Sequence, residues 1–261
     1  MKRTLIVANW KMNLNVHEAS LLVKRLNDHI QVHKDIEVVL APSLLTLQPI
    51  SKEIDTRKFK LAAQNAYFKD EGAFTGEVSF TMLQGLVDYC IVGHSERRVN
   101  FDETLEVVRD KMQAAVRNGI TPILCVGETK HEHMLGETKR VIHDKLTTAL
   151  INLTPEEVSK IVIAYEPIWA IGSGDPEKPD SIRKVVGWIR QILEEVYGME
   201  ASTEPRILYG ASVAPEFVGG ILSIEGVDGL LVGGASLNYK KFSDIVDNAY
   251  RLQHKQEKSD G

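Results

Sequence analysis

Cysteine is scarce in this chain: two residues in 261, Cys90 and Cys125, each inside an apolar run. No CxxC or HExxH spacing accompanies them, so the thiols read as buried and reduced, with neither a disulfide framework nor a metal expected. Long hydrophobic runs are missing too. None approaches the roughly 18 to 20 residues of a membrane helix, and Met1-Lys2-Arg3 leads straight into a short apolar segment with no targeting stretch. A cytoplasmic protein without a membrane partner is expected. Net positive charge is also lacking. The formal value is -5 at pH 7, which removes the global field that gathers nucleic acid and makes any phosphate site a local one. Low-complexity segments, internal repeats and Pro/Gly/Ser linkers are absent, so one domain is expected over 1-250. The apolar-poor tail RLQHKQEKSDG, 251-261, is expected to fray.

Hydrophobic residues make up 43% of the chain, enough to bury a sizeable core, and they recur as short β-branched runs. TLIVANW starts at Thr4, IEVVLAP at Ile36, KLAAQN at Lys60, YCIVG at Tyr89, TPILCVG at Thr121, KIVIAYEP at Lys160, RILYGAS at Arg206 and GLLVGG at Gly229. Most are continuously apolar rather than alternating, the pattern of parallel strands covered on both faces. Between them lie helical spacings such as Ala19-Leu22-Val23-Leu26 and Leu105-Val108-Met112-Val116. Thr154-Pro155-Glu156-Glu157 has the form of a capping box, and Asp180-Ser181 is expected to open the next long helix. Pattern alone leaves a doubly wound open sheet in play, since both architectures are built from right-handed βαβ units. The eight runs and the missing GxGxxG after the first favour an α/β fold consisting of one (β/α)8 barrel.

Functional groups in such barrels gather at the C-terminal ends of the strands. The first run ends Asn9-Trp10-Lys11-Met12-Asn13; a lysine there is often a solvated rim residue, yet a place in the barrel mouth also suits it to a phosphate. The fourth ends Gly93-His94-Ser95-Glu96-Arg97-Arg98. His94 stands where a strand passes into a helix, and the N–H groups and positive dipole end of a helix start disfavour a charged imidazole. The sixth run ends Tyr165-Glu166-Pro167, and a glutamate closing an apolar strand is costly to bury without a purpose or partner. The segment after it, Ile168 to Gly174, suits either a plain surface turn or a lid anchored by proline at one end with glycines toward the other. The last two runs end Gly210-Ala211-Ser212 and Gly233-Gly234-Ala235-Ser236, glycine turns whose N–H groups can form a concavity for an anion.

Taken together, NWKMN, AQNAYFKDEGAFTGEVS, IVGHSERR, LCVGE, AYEPIWAIGSG, ILYGASV and DGLLVGGASL resemble the triosephosphate isomerase family in order and spacing, from about Thr4 to Tyr250. That family is a standard worked case of tuned acid–base groups, and the mechanism that follows is taken from it. The resemblance implies an enzyme of glycolysis and gluconeogenesis that interconverts D-glyceraldehyde 3-phosphate and dihydroxyacetone phosphate without a cofactor. It implies Glu166 as the base, His94 as the neutral electrophile, and Lys11 as the positive charge beside the developing enediolate and the phosphate. Asn9 is implied to line the same pocket and Glu96 to support it, with main-chain N–H groups at Gly172, Ser212, Gly233 and Gly234 holding the phosphate. Phe74 to Glu77, with Thr75 at the tip, is similar to the family loop that enters a partner subunit, so a homodimer is implied; the residues alone also allow a polar hairpin tip.

Three departures stand out. The family commonly has lysine-threonine-alanine where this chain has Asp175-Pro176-Glu177, a glycine where it has Ala211, and a glycine where Asp102 follows Phe101. Pro176 fixes its own φ and biases Asp175 away from helical angles, and Ala211 takes freedom from its turn, so they bear on loop movement rather than on reaction class. Competing readings are another phosphate-binding barrel enzyme, such as a sugar-phosphate epimerase or a Schiff-base aldolase, and a barrel retained as a binding protein. An aldolase needs a lysine presented inside the barrel, for which Lys11 is a poor candidate beside Glu166 and His94. A binding protein most simply lacks a base or an electrophile, and this chain has both.

Overall fold

The eight apolar runs form eight parallel strands in a computed structural model that describes residues 2–172, 174 and 176–257. They are β1 (Thr4–Asn9), β2 (Ile36–Ala41), β3 (Phe59–Ala63), β4 (Tyr89–Val92), β5 (Thr121–Val126), β6 (Val162–Tyr165), β7 (Arg206–Tyr209) and β8 (Gly229–Val232). Each pairs with its successor, and β8 returns to β1 with Leu5 opposite Gly229 and Val7 opposite Leu231. That last pairing closes the sheet and decides between a barrel and an open sheet. The molecule is a (β/α)8 barrel.

Alternate strand residues point to opposite sides of the sheet, which is why the runs are apolar throughout. Leu5, Val7, Val39, Ile91, Cys125 and Leu208 pack together as one buried cluster, while their neighbours Ile6, Ala8, Val38, Leu40, Val92 and Leu124 join the larger cluster shared with the helices. The helix Val16–His29 shows how the outer layer is built. Asn15 caps it with Glu18 in a capping box, and its buried stripe is Ala19, Leu22, Val23 and Leu26. Each such large apolar side chain stabilises the fold by about 1.5 to 3 kcal/mol. In the helix Leu105–Arg117 the same spacing buries Val108 and Met112, with Leu105 and Val116 half-buried.

Of the two helix starts read from the sequence, one is found as read and one is shifted. The Thr154 capping box is present but serves only the one-turn helix Pro155–Val158. The long helix expected to open at Asp180-Ser181 begins at Pro179, with Lys178 as N-cap and no side-chain cap bond. Proline wins the position because its fixed φ is preset for a first turn and its missing N–H is not needed there. At the other end of the chain the helix Tyr239–Glu257 runs into the segment expected to fray, whose residues 258–261 lie outside the described residues. Cys90 and Cys125 are free and buried, and burial pushes the Cys90 thiol up to about 12. Among the described residues, no helix is long and apolar enough to cross a membrane.

Candidate active site

Glu166 leaves β6 at the C-terminal mouth of the barrel and is only 2% exposed. Its backbone is clamped first. Its N donates to Val126 O at 2.7 Å, and a Cβ on Gly127 would stand 1.7 Å from its carbonyl oxygen, so glycine is what lets β5 end this close. Gly210 clears its side chain, since a Cβ there would meet Glu166 Cγ at 3.1 Å. His94 arrives from β4 as N-cap of the helix Ser95–Asn100, and its Nδ1 accepts a hydrogen bond from Glu96 N at 3.2 Å. A ring nitrogen that accepts carries no proton, so the neutral ring keeps its proton on Nε2, which lies 3.1 Å from Glu166 Oε1. Ser95 N approaches the other carboxylate oxygen at 3.5 Å.

The electrostatics of the pair are mutual. Burial works to raise the Glu166 carboxyl, but the His94 ring and the Ser95 N–H more than offset it and hold it below the ordinary range. Burial pulls the His94 imidazole down; the Glu166 charge pulls it up and prevails at this distance. The helix start on its own points to a neutral ring, and the contacting carboxylate reverses that direction. This correction requires the fold, because the two residues come from different strands.

Lys11 follows β1 with a left-handed backbone, φ +53°. A side-chain-bearing residue held there costs about 1 kcal/mol or more. The conformation is kept by Asn9 Oδ1, which accepts from Lys11 N at 3.1 Å, and by Gln64 Nε2, which donates to Lys11 O at 2.9 Å and to Ala41 O at 2.8 Å. Strain sustained in this way is what a functional position shows. The Lys11 ammonium is hydrogen-bonded to Glu96 Oε1. It also lines a narrow cavity with Asn9, His94 and Glu166.

A second cavity of about 250 Å³ opens beside it, lined by Lys11, Gly172, Ser212, Gly233 and Gly234 among others. Gly233 leads into a short 3-10 turn, Gly234–Leu237, and a helical start next to a lysine favours an anion. The loop after β6 rests against this region at both ends. Ser212 Oγ donates to Ala170 O at 2.8 Å and accepts from Gly174 N at 3.1 Å, while Tyr209 OH accepts from Glu177 N at 2.9 Å. Within that loop Ser173 and Asp175 lie outside the described residues, so the altered hinge is seen only at Pro176 and Glu177. Glu177 is 7% exposed, and Ala211 borders the same cavity as Glu166. Asp102 keeps a left-handed φ of +51°, a backbone that glycine adopts freely.

Asn9, Lys11, His94, Glu96, Glu166, Gly172, Ser212, Gly233 and Gly234 are thus brought to one mouth. Thr75 is not. It sits on an exposed turn closed by Glu77 N donating to Phe74 O at 3.0 Å. The sequence reading missed Gln64 and Gly127, which clamp Lys11 and Glu166, and Glu128, which is fully buried behind the loop after β6. All three lie in or just after strands, so strand-end position was the signal that could have found them.

A carboxylate and an imidazole in contact, with an ammonium and an anion-sized cavity alongside, can pass protons to and from a small anion. That places the molecule among the acid–base enzymes built on (β/α)8 barrels. Comparison with known proteins narrows the class: the triosephosphate isomerase family model matches residues 4–249. A triosephosphate isomerase of Dehalococcoides mccartyi is 41% identical over 255 residues, 98% of this chain and 100% of the relative. One from Alkaliphilus metalliredigens is 43% identical over 248 residues, 95% of this chain and 100% of its own. One from Clostridium tetani is 42% identical over 248 residues, covering 95% and 97%. The chain belongs to the triosephosphate isomerase family and is an isomerase of that type.

Proposed function

We propose that this isomerase interconverts D-glyceraldehyde 3-phosphate and dihydroxyacetone phosphate at the mouth centred on Glu166 and His94. Glu166 removes the proton from the carbon next to the carbonyl, and the electron pair moves onto the carbonyl oxygen to give an enediolate. His94 Nε2–H donates to that oxygen and carries a proton between the two oxygens. The Lys11 ammonium stabilises the developing charge, Asn9 borders the reacting carbons, and Glu96 orients Lys11. Protonated Glu166 then returns its proton to the neighbouring carbon, so the reaction balances without a cofactor. Main-chain N–H groups at Gly172, Ser212, Gly233 and Gly234 hold the phosphate. The loop after β6 excludes water and so protects the enediolate from losing its phosphate.

The observation that carries this reading is the 3.1 Å approach of His94 Nε2 to Glu166 Oε1 beside the glycine-lined cavity. A homodimer fits it: a groove of about 300 Å³ next to the site is lined by Lys11, Met12, His94 and Glu96, with Met12 97% exposed. The Thr75 turn of a second copy is suited to that groove, and the working place is the cytoplasm, in glycolysis and gluconeogenesis. A coupled assay consuming dihydroxyacetone phosphate as it forms from glyceraldehyde 3-phosphate tests the reaction. Turnover above the uncatalysed rate is expected, and its absence in the folded protein overturns the assignment.

A further inference from the structure

Behind the loop after β6 lies a polar cluster that the proposed chemistry does not use. Glu128, just past β5, is fully buried. Its backbone O accepts from Ile168 N at 3.1 Å. Its carboxylate receives Tyr165 OH at 3.3 Å on both oxygens, and Trp169 Nε1 at 3.3 Å on Oε1. His133 Nδ1 stands 3.3 Å from the same Oε1, and the His133 ring packs on Trp169 with centroids 4.8 Å apart. Trp169 belongs to the turn Ile168–Ala170 that opens the loop, and Ala170 O is held by Ser212 of the anion cavity.

Tyrosine and tryptophan are neutral donors. Among the described residues, His133 is the group within hydrogen-bond reach of Glu128 that can become a cation. Its side chain is 43% exposed, so it exchanges protons with solvent while touching a buried carboxylate. The short helix Lys130–Met134 that carries it is fixed by a Thr129–Glu132 capping box. Other charged groups face the cluster from outside: Lys145 acts on Glu128 and Glu132, and Glu177 acts on Tyr165.

We propose that His133 is a positioning residue for this isomerase, setting through Glu128 where Trp169 and the first turn of the loop rest, and that loop seating is therefore proton-dependent. A protonated His133 neutralises Glu128 and keeps it an acceptor for the Trp169 N–H. Loss of that proton leaves a buried carboxylate with neutral donors alone, and burial already pushes Glu128 upward toward taking a proton itself. The hold on Trp169 is then weaker. Since Ala170 is tied to Ser212, the change reaches the anion cavity and alters binding more than proton transfer. This kinetic consequence rests on the isomerase reading; the seating of Trp169 does not.

The test uses the full chain labelled with 5-fluorotryptophan, whose three tryptophans give three fluorine resonances, with Trp169 assigned by Trp169→Phe. Histidines as a class titrate between about pH 5 and 8. The Trp169 resonance is expected to move across that range in the parent, to stay flat in His133→Gln, and to keep its low-pH position throughout in His133→Arg, a permanent cation. In triose phosphate assays KM is expected to rise on the order of two- to fivefold between about pH 6 and 8 in the parent but not in His133→Gln, with kcat little changed. A parent Trp169 resonance that ignores pH, or one that titrates equally in His133→Gln, overturns the proposal. Failure to turn over triose phosphates sinks the isomerase reading instead and leaves the fluorine titration to decide His133.

Discussion

Two buried glutamates sit at opposite ends of the same barrel and are treated in opposite ways. Glu37, near the start of β2 at the N-terminal face, is 8% exposed and saturated with donors. Tyr89 OH reaches Oε1 at 2.6 Å, Lys60 Nζ reaches it at 3.0 Å, and Arg206 donates to Oε2 at 3.0 Å while also donating to Tyr89 OH at 2.7 Å. Burial works to raise its carboxyl, and those partners overcome it and bring it down to about 2. Glu166, at the C-terminal mouth, is buried more deeply and is met by His94 at 3.1 Å, by a long contact from Ser95 N and by the Cys125 thiol, with no permanent cation in contact among the described residues. A carboxylate ringed by permanent cations is inert and holds structure; one whose compensation rests on a single titratable imidazole can exchange protons with what enters the mouth. The barrel spends one glutamate on stability and the other on reactivity.

The largest effect expected on this contrast comes from Glu166→Asp, which withdraws the carboxylate by one methylene. We expect kcat to fall by about 10²- to 10⁴-fold with KM changed far less, because proton transfer demands hydrogen-bond reach. Stability should fall by only about 1 kcal/mol, since one buried methylene is lost while the carboxylate stays charged. Steady-state kinetics beside urea melts check both; an unchanged kcat removes Glu166 from the mechanism.

Glu37→Gln should show the reverse. The folded carboxyl lies at about 2 against an ordinary 4.5, so its contribution is fully present above about pH 4.5 and is lost as the pH falls toward 2. That amounts to on the order of 3 kcal/mol at neutral pH. Urea unfolding at one fixed protein concentration should show a loss of this size at pH 7, a smaller one near pH 3, and kcat within a factor of two of the parent. A large kcat defect with intact stability would erase the distinction between the two ends.

Gly210→Ala sharpens the mouth side. The added methyl lies 3.1 Å from Glu166 Cγ and 3.3 Å from Leu231 Cβ, tighter than ordinary packing, so the base must shift by a few tenths of an ångström. A kcat drop of about tenfold, or about 1.4 kcal/mol, is expected with little change in KM. If Leu231 yields instead of Glu166, kcat stays at the parent value and the clearance argument fails. The smallest effect belongs to Lys60→Met, whose ammonium is 43% exposed where it meets Glu37. Removing it should cost under about 1 kcal/mol, because a half-exposed pair is screened by solvent. A loss as large as that of Glu37→Gln in the same urea assay would show that Arg206 and Tyr89 do not by themselves hold the carboxylate.

The sequence by itself determined which segments become strands and helices, because continuous apolar runs and three-to-four spacing are local patterns read within about ten residues. It also placed His94, Lys11 and Glu166 at strand ends, since a polar residue closing an apolar run is visible without knowing its neighbours. Family membership followed from motifs of that same local kind. Tertiary structure alone decided the rest. Only the pairing of β8 with β1 turns an open sheet into a barrel and carries Arg206 and Glu37, distant in sequence, to one carboxylate. Only the pairing of β4 and β6 on either side of β5 sets Glu166 against His94 and reverses the direction in which the imidazole shifts. The left-handed backbone of Lys11 and the seat of Trp169 against His133 have the same origin. Each depends on which atoms are nearest across elements, and periodicity along one chain carries no information about distances between strands.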